Sequence, residues 1–403
     1  MKKLQKVLLF FLLFGTMAIF GMVENIKGVS YPLIKAEFAA TDVQQGFMVS
    51  MLSMAYVAFC VIAGLFLGRF GTKPSFLFGY AAVSMGIFAV FFMREYFFTV
   101  AALFIVFAGL GFFEIGINAL AANVFQKKTA LMMNILHSLY GVGSILGPIA
   151  AGAIIAHPQL ISMSQGVPPW RYAYIFTLPL ALVLLITAII TRFPGSTDES
   201  KLSDDLPAPR KSFFDALRSP MVWLMSVTLG LAVIVEMNSA NWGSLYFHEV
   251  YGLDPAREGA RFLSAFFLLF TVSRLVCGLF IEKIGYTRAL LGVAAITTAI
   301  FITGFFLGAN GIFVLPAIGF FVALLWPTIM ATGVVLFGKD APVYCSAMIA
   351  IGGFINTLVQ FIIGYTNKLF GPAWGYRSSI VYAILLIFML IILHRKFLQQ
   401  PRP

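Results

Sequence analysis

The sequence predicts an all-α integral membrane protein with twelve transmembrane helices in two six-helix halves. Three observations predict it. First, 60% of the 403 residues are hydrophobic and 11% are charged, against roughly 25% charged in a soluble chain. Too few charges are present to coat a surface that faces water. Second, apolar windows of about 20 residues, the length that crosses a bilayer as a helix, recur twelve times. Third, "GLFLGRFG" (Gly64–Gly71) and "GLFIEKIG" (Gly278–Gly285) match at an offset of 214 residues. Each closes an apolar run at a short basic turn, the second-to-third connection in one half and the eighth-to-ninth in the other.

The twelve windows cover about 6–35, 44–68, 74–93, 98–124, 130–156, 171–192, 220–247, 260–282, 288–307, 312–337, 342–367 and 376–395. The longer ones have room to tilt. The first begins with lysines and an apolar run, as a signal peptide does. It lacks a clear small-residue cleavage site, and retaining it as a helix completes the count. The longest polar stretch, "RFPGSTDESKLSDDLPAPRKSFFDALRS" (Arg192–Ser219), is rich in Ser, Asp, Pro and Lys. It reads as a linker that ends in a short amphipathic helix, "KSFFDALRS". The expected divisions are residues 1–192, a linker at 193–219, and residues 220–403.

The charge distribution sets the orientation. Net charge is +11. Eighteen of the 27 Lys and Arg residues fall on the side that holds both termini, and seven on the other. Lys27 and Arg274 fall within helices. Such a bias places basic loops in the cytoplasm, so a multi-pass protein of the plasma (inner) membrane with both termini cytoplasmic is expected. No basic domain is left over for nucleic acid. Cys60, Cys277 and Cys345 sit in apolar runs without metal-ligand spacing and read as packing residues. There is no G-x-x-x-x-G-K-[ST] loop, nucleophile elbow, metal motif or redox CxxC. Transport coupled to an ion gradient fits better than an enzyme or an ATP-driven pump. Parallel repeats of six helices describe an alternating-access carrier.

These features resemble the major facilitator superfamily and imply its fold. The superfamily's loop signature, roughly G-x-x-x-D-R-x-G-R-K, is matched by Gly64, Arg69, Gly71 and Lys73, with Gly68 at the acid position. The second copy keeps Gly278, Glu282 and Gly285. Four further stretches resemble the fucose–proton and glucose–proton symporter group. They are "GLGFFEIGINAL" (Gly109–Leu120), "NILHSLYGVGSILGP" (Asn134–Pro148), "VEMNSANWGSLYFHEVYGL" (Val235–Leu253) and "LLWPTIMA" (Leu324–Ala331). The resemblance implies a small-molecule substrate of the sugar class, a proton as coupling ion, no other cofactor, the lipid bilayer as surroundings and a monomeric chain. One departure stands out. Counting back four residues from Pro32, the position of the group's first-helix Asp, gives Gly28. The nearest acid is Glu24, whose role rests on its chemistry.

Of sixteen acids, three lie within helices: Glu24, Glu114 and Glu236. Unpaired intramembrane charges cost several kcal/mol, so these acids face partners or a wet space. Glu114 shares a helix face with Asn118, one turn on. Burial favours the neutral form of a carboxyl, which suits a group that takes a proton on one side and releases it on the other. Glu24 and Lys27 share a face at i, i+3. They form either a static pair or a coupling device in which Lys27 neutralises Glu24 or Glu114 when no proton is present. Glu236 begins a polar patch with Asn238, Asn241 and Trp242. Amides offer donors and acceptors to hydroxyls, and an indole face stacks on a sugar ring; the same amides could instead bridge helices. Asn134 with His137, Asn356 with Gln360, and Trp326 are the remaining candidate contacts to substrate. Arg274 either draws an anion, pairs with a carboxylate or reaches for the surface.

Two other functions fit less well. An exporter of amphipathic compounds is supported by "GVGSILGPIAAG" (Gly141–Gly152), which resembles a glycine–proline run of drug–proton antiporters. It predicts a greasier interior than these amides give. A membrane sensor or scaffold has no use for three buried acids.

Overall fold

The computed structural model describes residues 3–125, 129–163, 166–193, 213–276, 281 and 283–398. Among them twelve helices are long and apolar enough to cross a membrane. In chain order they are α1 Lys3–Glu37, α2 Asp42–Phe70, α3 Thr72–Phe92, α4 Tyr96–Val124, α5 Thr129–Ile155 and α6 Pro169–Ile190. The second six are α7 Pro220–Tyr251, α8 Pro255–Val276, α9 Tyr286–Phe306, α10 Gly308–Phe337, α11 Ala341–Phe370 and α12 Pro372–Leu398. Most of the expected linker lies outside the described residues. Its end forms a short helix, Phe213–Leu217, with Ala216 buried.

Three helices depart from the continuous spans expected; one is α12, broken at Ser378 between Pro372–Arg377 and Ser379–Leu398. Near its start α6 is interrupted between Ile175 and Leu178, where Pro179 removes a backbone donor in the next helical turn. α10 opens as two 3-10 turns, Gly308–Phe313 and Leu315–Ala317, before its helical part. Pro316 and close packing explain this: a Cβ at Gly311 would lie 2.0 Å from the Gly304 carbonyl oxygen, and one at Gly319 2.2 Å from that of Phe266.

The internal repeat has a structural counterpart. Gly71 and Gly285 both take a positive φ, 81° and 89°, where a side chain is strained. Two residues later the copies do the same job with different chemistry. Lys73 Nζ donates to the carbonyls of Ile189 and Thr191 at the end of α6, at 2.7 and 2.9 Å. Thr287 bonds His394 of α12 at 2.7 Å. Gly64 has open space around it, and Arg69 lies over the Phe70 ring at 5.4 Å. Gly278 and Glu282 lie outside the described residues.

The two halves touch along α1–α7, α2–α11 and α5–α8. We call the face with the two termini the terminal face and the opposite one the far face. At the far face Lys35 of α1 bridges Asp42 at 2.6 Å and the Glu249 carboxylate of α7. Gly46 of α2 meets Gly364 of α11, and Gly152 of α5 meets Ala256 of α8. Deeper in, Ser264 donates to the Ile145 carbonyl at 3.0 Å and Ser50 to that of Thr357 at 2.9 Å. These cross-half contacts reach as far as Val57 with Gly353 and Gly141 with Thr271; beyond them a Cβ at Gly64 or Gly68 would meet nothing within 4 Å outside its own helix. The molecule is therefore shut at the far face and parted toward the terminal face.

The glycine–proline run of α5 divides its small residues between two partners. Gly143 and Gly147 pack on the backbone of α1 at Ala18 and Met22, whereas Gly141 and Gly152 pack on α8 in the other half.

Candidate functional site

Three carboxyls and two cations, from α1, α4, α7 and α8, form one group linked by electrostatic interactions across the two halves. Glu24 and Lys27 stand one turn apart on α1. Lys27 Nζ is 3.7 Å from Glu24 Oε1, and the Tyr140 hydroxyl of α5 donates to Glu24 Oε2 at 2.8 Å. The lysine is 5% exposed, with its ammonium 5.2 Å from the centre of the Phe107 ring of α4. Such a seat allows a charge to be buried, because a carboxylate and a ring face both stabilise it. Of the two partners weighed for Lys27, the structure shows Glu24. Glu114 sits two turns beyond Phe107, roughly 10 Å along the helix, and its nearest bonded neighbour is on its own helix. The amide of Asn118 donates to Glu114 Oε1 at 3.3 Å and to the Glu114 carbonyl at 2.7 Å. The Tyr56 hydroxyl of α2 faces the same carboxyl.

Glu236 belongs to this charged group and is separated from the amides that follow it. At 100° per residue it falls on the opposite side of α7 from Asn238, Asn241 and Trp242. It lies within electrostatic range of Lys27, Glu24 and Arg274. Its face of α7 packs on α1, where a Cβ at Gly28 would be 2.7 Å from the Ala240 carbonyl oxygen and 2.5 Å from Leu263. The position where the resembled group carries an acid is thus filled by close helix packing, and Gly28 makes that approach sterically available.

The amides form their own network inside the second half. Gln360 of α11 accepts from Trp242 Nε1 at 2.7 Å and from Asn241 at 3.3 Å, and donates to Asn238 at 3.2 Å and Asn356 at 3.1 Å. Asn238 also donates to Ser379 of α12 at 3.1 Å. All five side chains are buried, and Asn241 Oδ1 is left without a partner. A saturated Gln360 cannot take a substrate hydroxyl without giving up a bond, so in this conformation the network ties α7, α11 and α12 together. Gln360→Leu should therefore lower the thermal midpoint of the purified protein, since each orphaned buried group costs about 1–3 kcal/mol. An unchanged midpoint with a raised KM for uptake would instead mark Gln360 as a substrate contact.

The remaining candidates are scattered. His137 of α5 is half-buried and lies within electrostatic range of Arg274. Trp326 is 38% exposed and sits apart from the amide network. Asn134 is placed in α5, but its side chain lies outside the described residues. Sequence reasoning missed Tyr140, Tyr56 and Phe107. Tyr140 was within reach of it, because it lies one turn from His137 on the same helix face. The other two touch the acids only through tertiary packing. A cavity of about 580 Å³ at the terminal face, lined by Asp215, Arg218, Met221 and Tyr344 among others, includes none of the three acids.

Known proteins share this fold. The sequence model of the Major Facilitator Superfamily matches residues 12–342. The chain is 23% identical over 411 residues to the L-fucose–proton symporter of Escherichia coli strain K12, covering 94% of this chain and 92% of that protein. Among solved structures, a bacterial homologue of the human lysosomal transporter Spinster, inward-facing and unoccupied, superposes with a TM-score of 0.77 at 17% identity over 99% of this chain and 98% of that one. A single-substitution variant of the E. coli fucose–proton symporter gives 0.64 at 18% identity over 98% and 100%. A D-xylose–proton symporter gives 0.73 at 12% identity over 95% and 96%. These likenesses show the fold.

Proposed function

This chain belongs to the Major Facilitator Superfamily, and from that premise we propose that it moves a neutral monosaccharide together with a proton, by alternating access. It is a multi-pass membrane transporter, not an enzyme. The observation that carries the proposal is the convergence of Glu24, Glu114 and Glu236, from both halves, on one interior space that also holds Lys27. A carrier that couples to protons needs a carboxyl whose charge state changes within such a space. The relatives that are fucose–proton and xylose–proton symporters support the sugar and the proton.

In this reading the terminal face is cytoplasmic, as the excess of Lys and Arg there favours, and the protein works as a monomer in the plasma membrane. Glu114 takes the proton. Lys27 holds Glu24 as a fixed pair, which leaves Glu114 as the carboxyl without a basic partner on its own half. Substrate hydroxyls meet polar groups near the midplane between the halves, among them the Tyr140 and Tyr56 hydroxyls beside Glu24 and Glu114.

The test uses membrane vesicles energised by respiration. Adding the transported monosaccharide should alkalinise the outside. Glu114→Gln should abolish uphill uptake, a loss of at least about tenfold and commonly more for a required proton group, while exchange of labelled for unlabelled sugar persists. Unchanged uphill uptake in that variant would remove Glu114 from coupling. Resistance to amphipathic compounds without any sugar uptake would replace the whole reading with export.

A further inference from the structure

We propose that Arg274 of α8 is the cross-half partner of Glu114, and that the pair they form closes the terminal face and is released when Glu114 takes a proton. The inference rests on the symport reading above and adds to it a positioning residue and the means by which a proton moves the halves.

The argument begins where the halves diverge. Helices α5 and α8 touch at Gly141 and Thr271, where a Cβ on the glycine would be 2.1 Å from the threonine hydroxyl. Arg274 is one turn beyond Thr271 toward the terminal face, and His137 is one turn beyond Gly141. Both therefore flank the fork at which the two helices part. Arg274 is exposed there, lying over the Phe270 ring at 4.3 Å. None of the described carboxylates is within ion-pair distance of it; the five described ion pairs involve Lys27, Lys35, Arg171 and Arg257. Yet it interacts electrostatically with Glu114 of the first half and Glu236 of the second. A guanidinium within electrostatic range of Glu114, on the half that moves against it, has a place to go when the fork closes.

The far face shows the complementary arrangement. There Lys35 of the first half is already engaged with Glu249 of the second. One cross-half charge pair is made at the closed face, and the charges for another stand apart at the open face. Rocking about the Gly141–Thr271 contact would exchange them.

The groups that face Glu114 decide its part. They are Glu24 from α1, Tyr56 and Cys60 from α2, Arg274 from α8, and Asn118 on its own helix. Arg274 is the cation among them, since Lys27 is held by Glu24. Ionised Glu114 attracts Arg274 and draws the terminal face shut. A protonated Glu114 offers the guanidinium no charge, and that restraint is lost.

The experiment reads conformation without any sugar, so it stands or falls separately from substrate identity. Spin labels at Phe70 and Ile284, which are exposed and occupy equivalent positions in the two repeats, report the terminal-face distance in lipid nanodiscs. In otherwise unaltered protein the short-distance, closed population should be larger at pH 8 than at pH 5. Arg274→Gln should reduce it about fivefold or more at pH 8, in the range of coupling energies that ion pairs supply, and flatten the pH response. Glu114→Gln should do the same, the double variant should do no more than either, and Arg274→Lys should restore the response. The proposal is overturned if Arg274→Gln keeps the full pH response or if the two single effects add. A second label pair on the far face should move in the opposite sense, which distinguishes a shifted equilibrium from a misfolded protein.

Discussion

Gly46→Val should hold the far face open and stop net transport while leaving the protein folded. Gly46 is buried in α2, and a Cβ there would lie 2.8 Å from the Gly364 Cα and 3.1 Å from both the Gly364 nitrogen and the Phe361 carbonyl oxygen of α11. These are backbone atoms, so no side-chain rotation relieves the overlap. The contact is reciprocal: a Cβ at Gly364 would meet the Asp42 carbonyl oxygen at 2.5 Å and the Gly46 Cα at 2.6 Å. Helices α2 and α11 belong to different halves, so separating them is the same motion as opening the far face. Overpacking costs typically about 1–3 kcal/mol. In a two-state equilibrium that is a shift of roughly five- to 150-fold.

The measurement is labelling of a cysteine placed at Ser50. This residue is 5% exposed and covered by α11 through its bond to the Thr357 carbonyl. With Gly46 present, Ser50→Cys should resist a membrane-impermeant maleimide added at the far face. With Gly46→Val it should react at least about fivefold faster, while the thermal midpoint stays close to that of the parent. Continued protection with normal uptake would show that the α2–α11 contact does not define the closed state. Gly46→Ala, with less bulk, should fall between the two.

Arg171→Met should do the opposite, lowering stability with little effect on which face is open. Arg171 is fully buried near the start of α6. Its Nη2 donates to Glu37 Oε1 at 2.7 Å and its Nη1 to the Val90 carbonyl. Trp170 Nε1 donates to the other oxygen of Glu37 at 2.6 Å, and the guanidinium lies 4.8 Å from the Trp170 ring. The cluster ties the far ends of α1, α3 and α6 within one half. Removing one member of a buried pair is destabilising by about 3–5 kcal/mol, because the other charge stays behind uncompensated. The expected result is a fall of several degrees or more in the thermal midpoint. Replacing both charges, as Arg171→Met with Glu37→Met, should be less destabilising than Arg171→Met alone. A double variant that is as unstable as the sum of the singles would contradict the pairing.

Particular residues show how far the sequence could be read. The twelve helices were legible because each needs only its own apolar length. The repeat was legible because Gly71 and Gly285 each answer a local demand for a positive φ. The importance of Glu24, Glu114 and Glu236 was legible too, since a charge within an apolar run is costly wherever its helix lies. The amide patch was only half legible. Helical spacing gathered Asn238, Asn241 and Trp242, but it could not show that Gln360, more than a hundred residues away, would take up their hydrogen bonds. Sequence neighbourhood also grouped Glu236 with those amides, although the helix turns it to the opposite side.

By itself the sequence determined what each segment must be: which stretches are helices, which charges are out of place, and that the chain is built twice. Only the tertiary structure decided whom those charges meet. It gave Lys27 to Glu24, set Arg274 across an open fork from Glu114, and closed one face through Gly46 and Gly364. The physical reason is the range of the forces. Apolar length and backbone conformation act within a segment and are written in local composition. Ion pairs and close packing act between segments, and which segments come together depends on how all twelve helices pack.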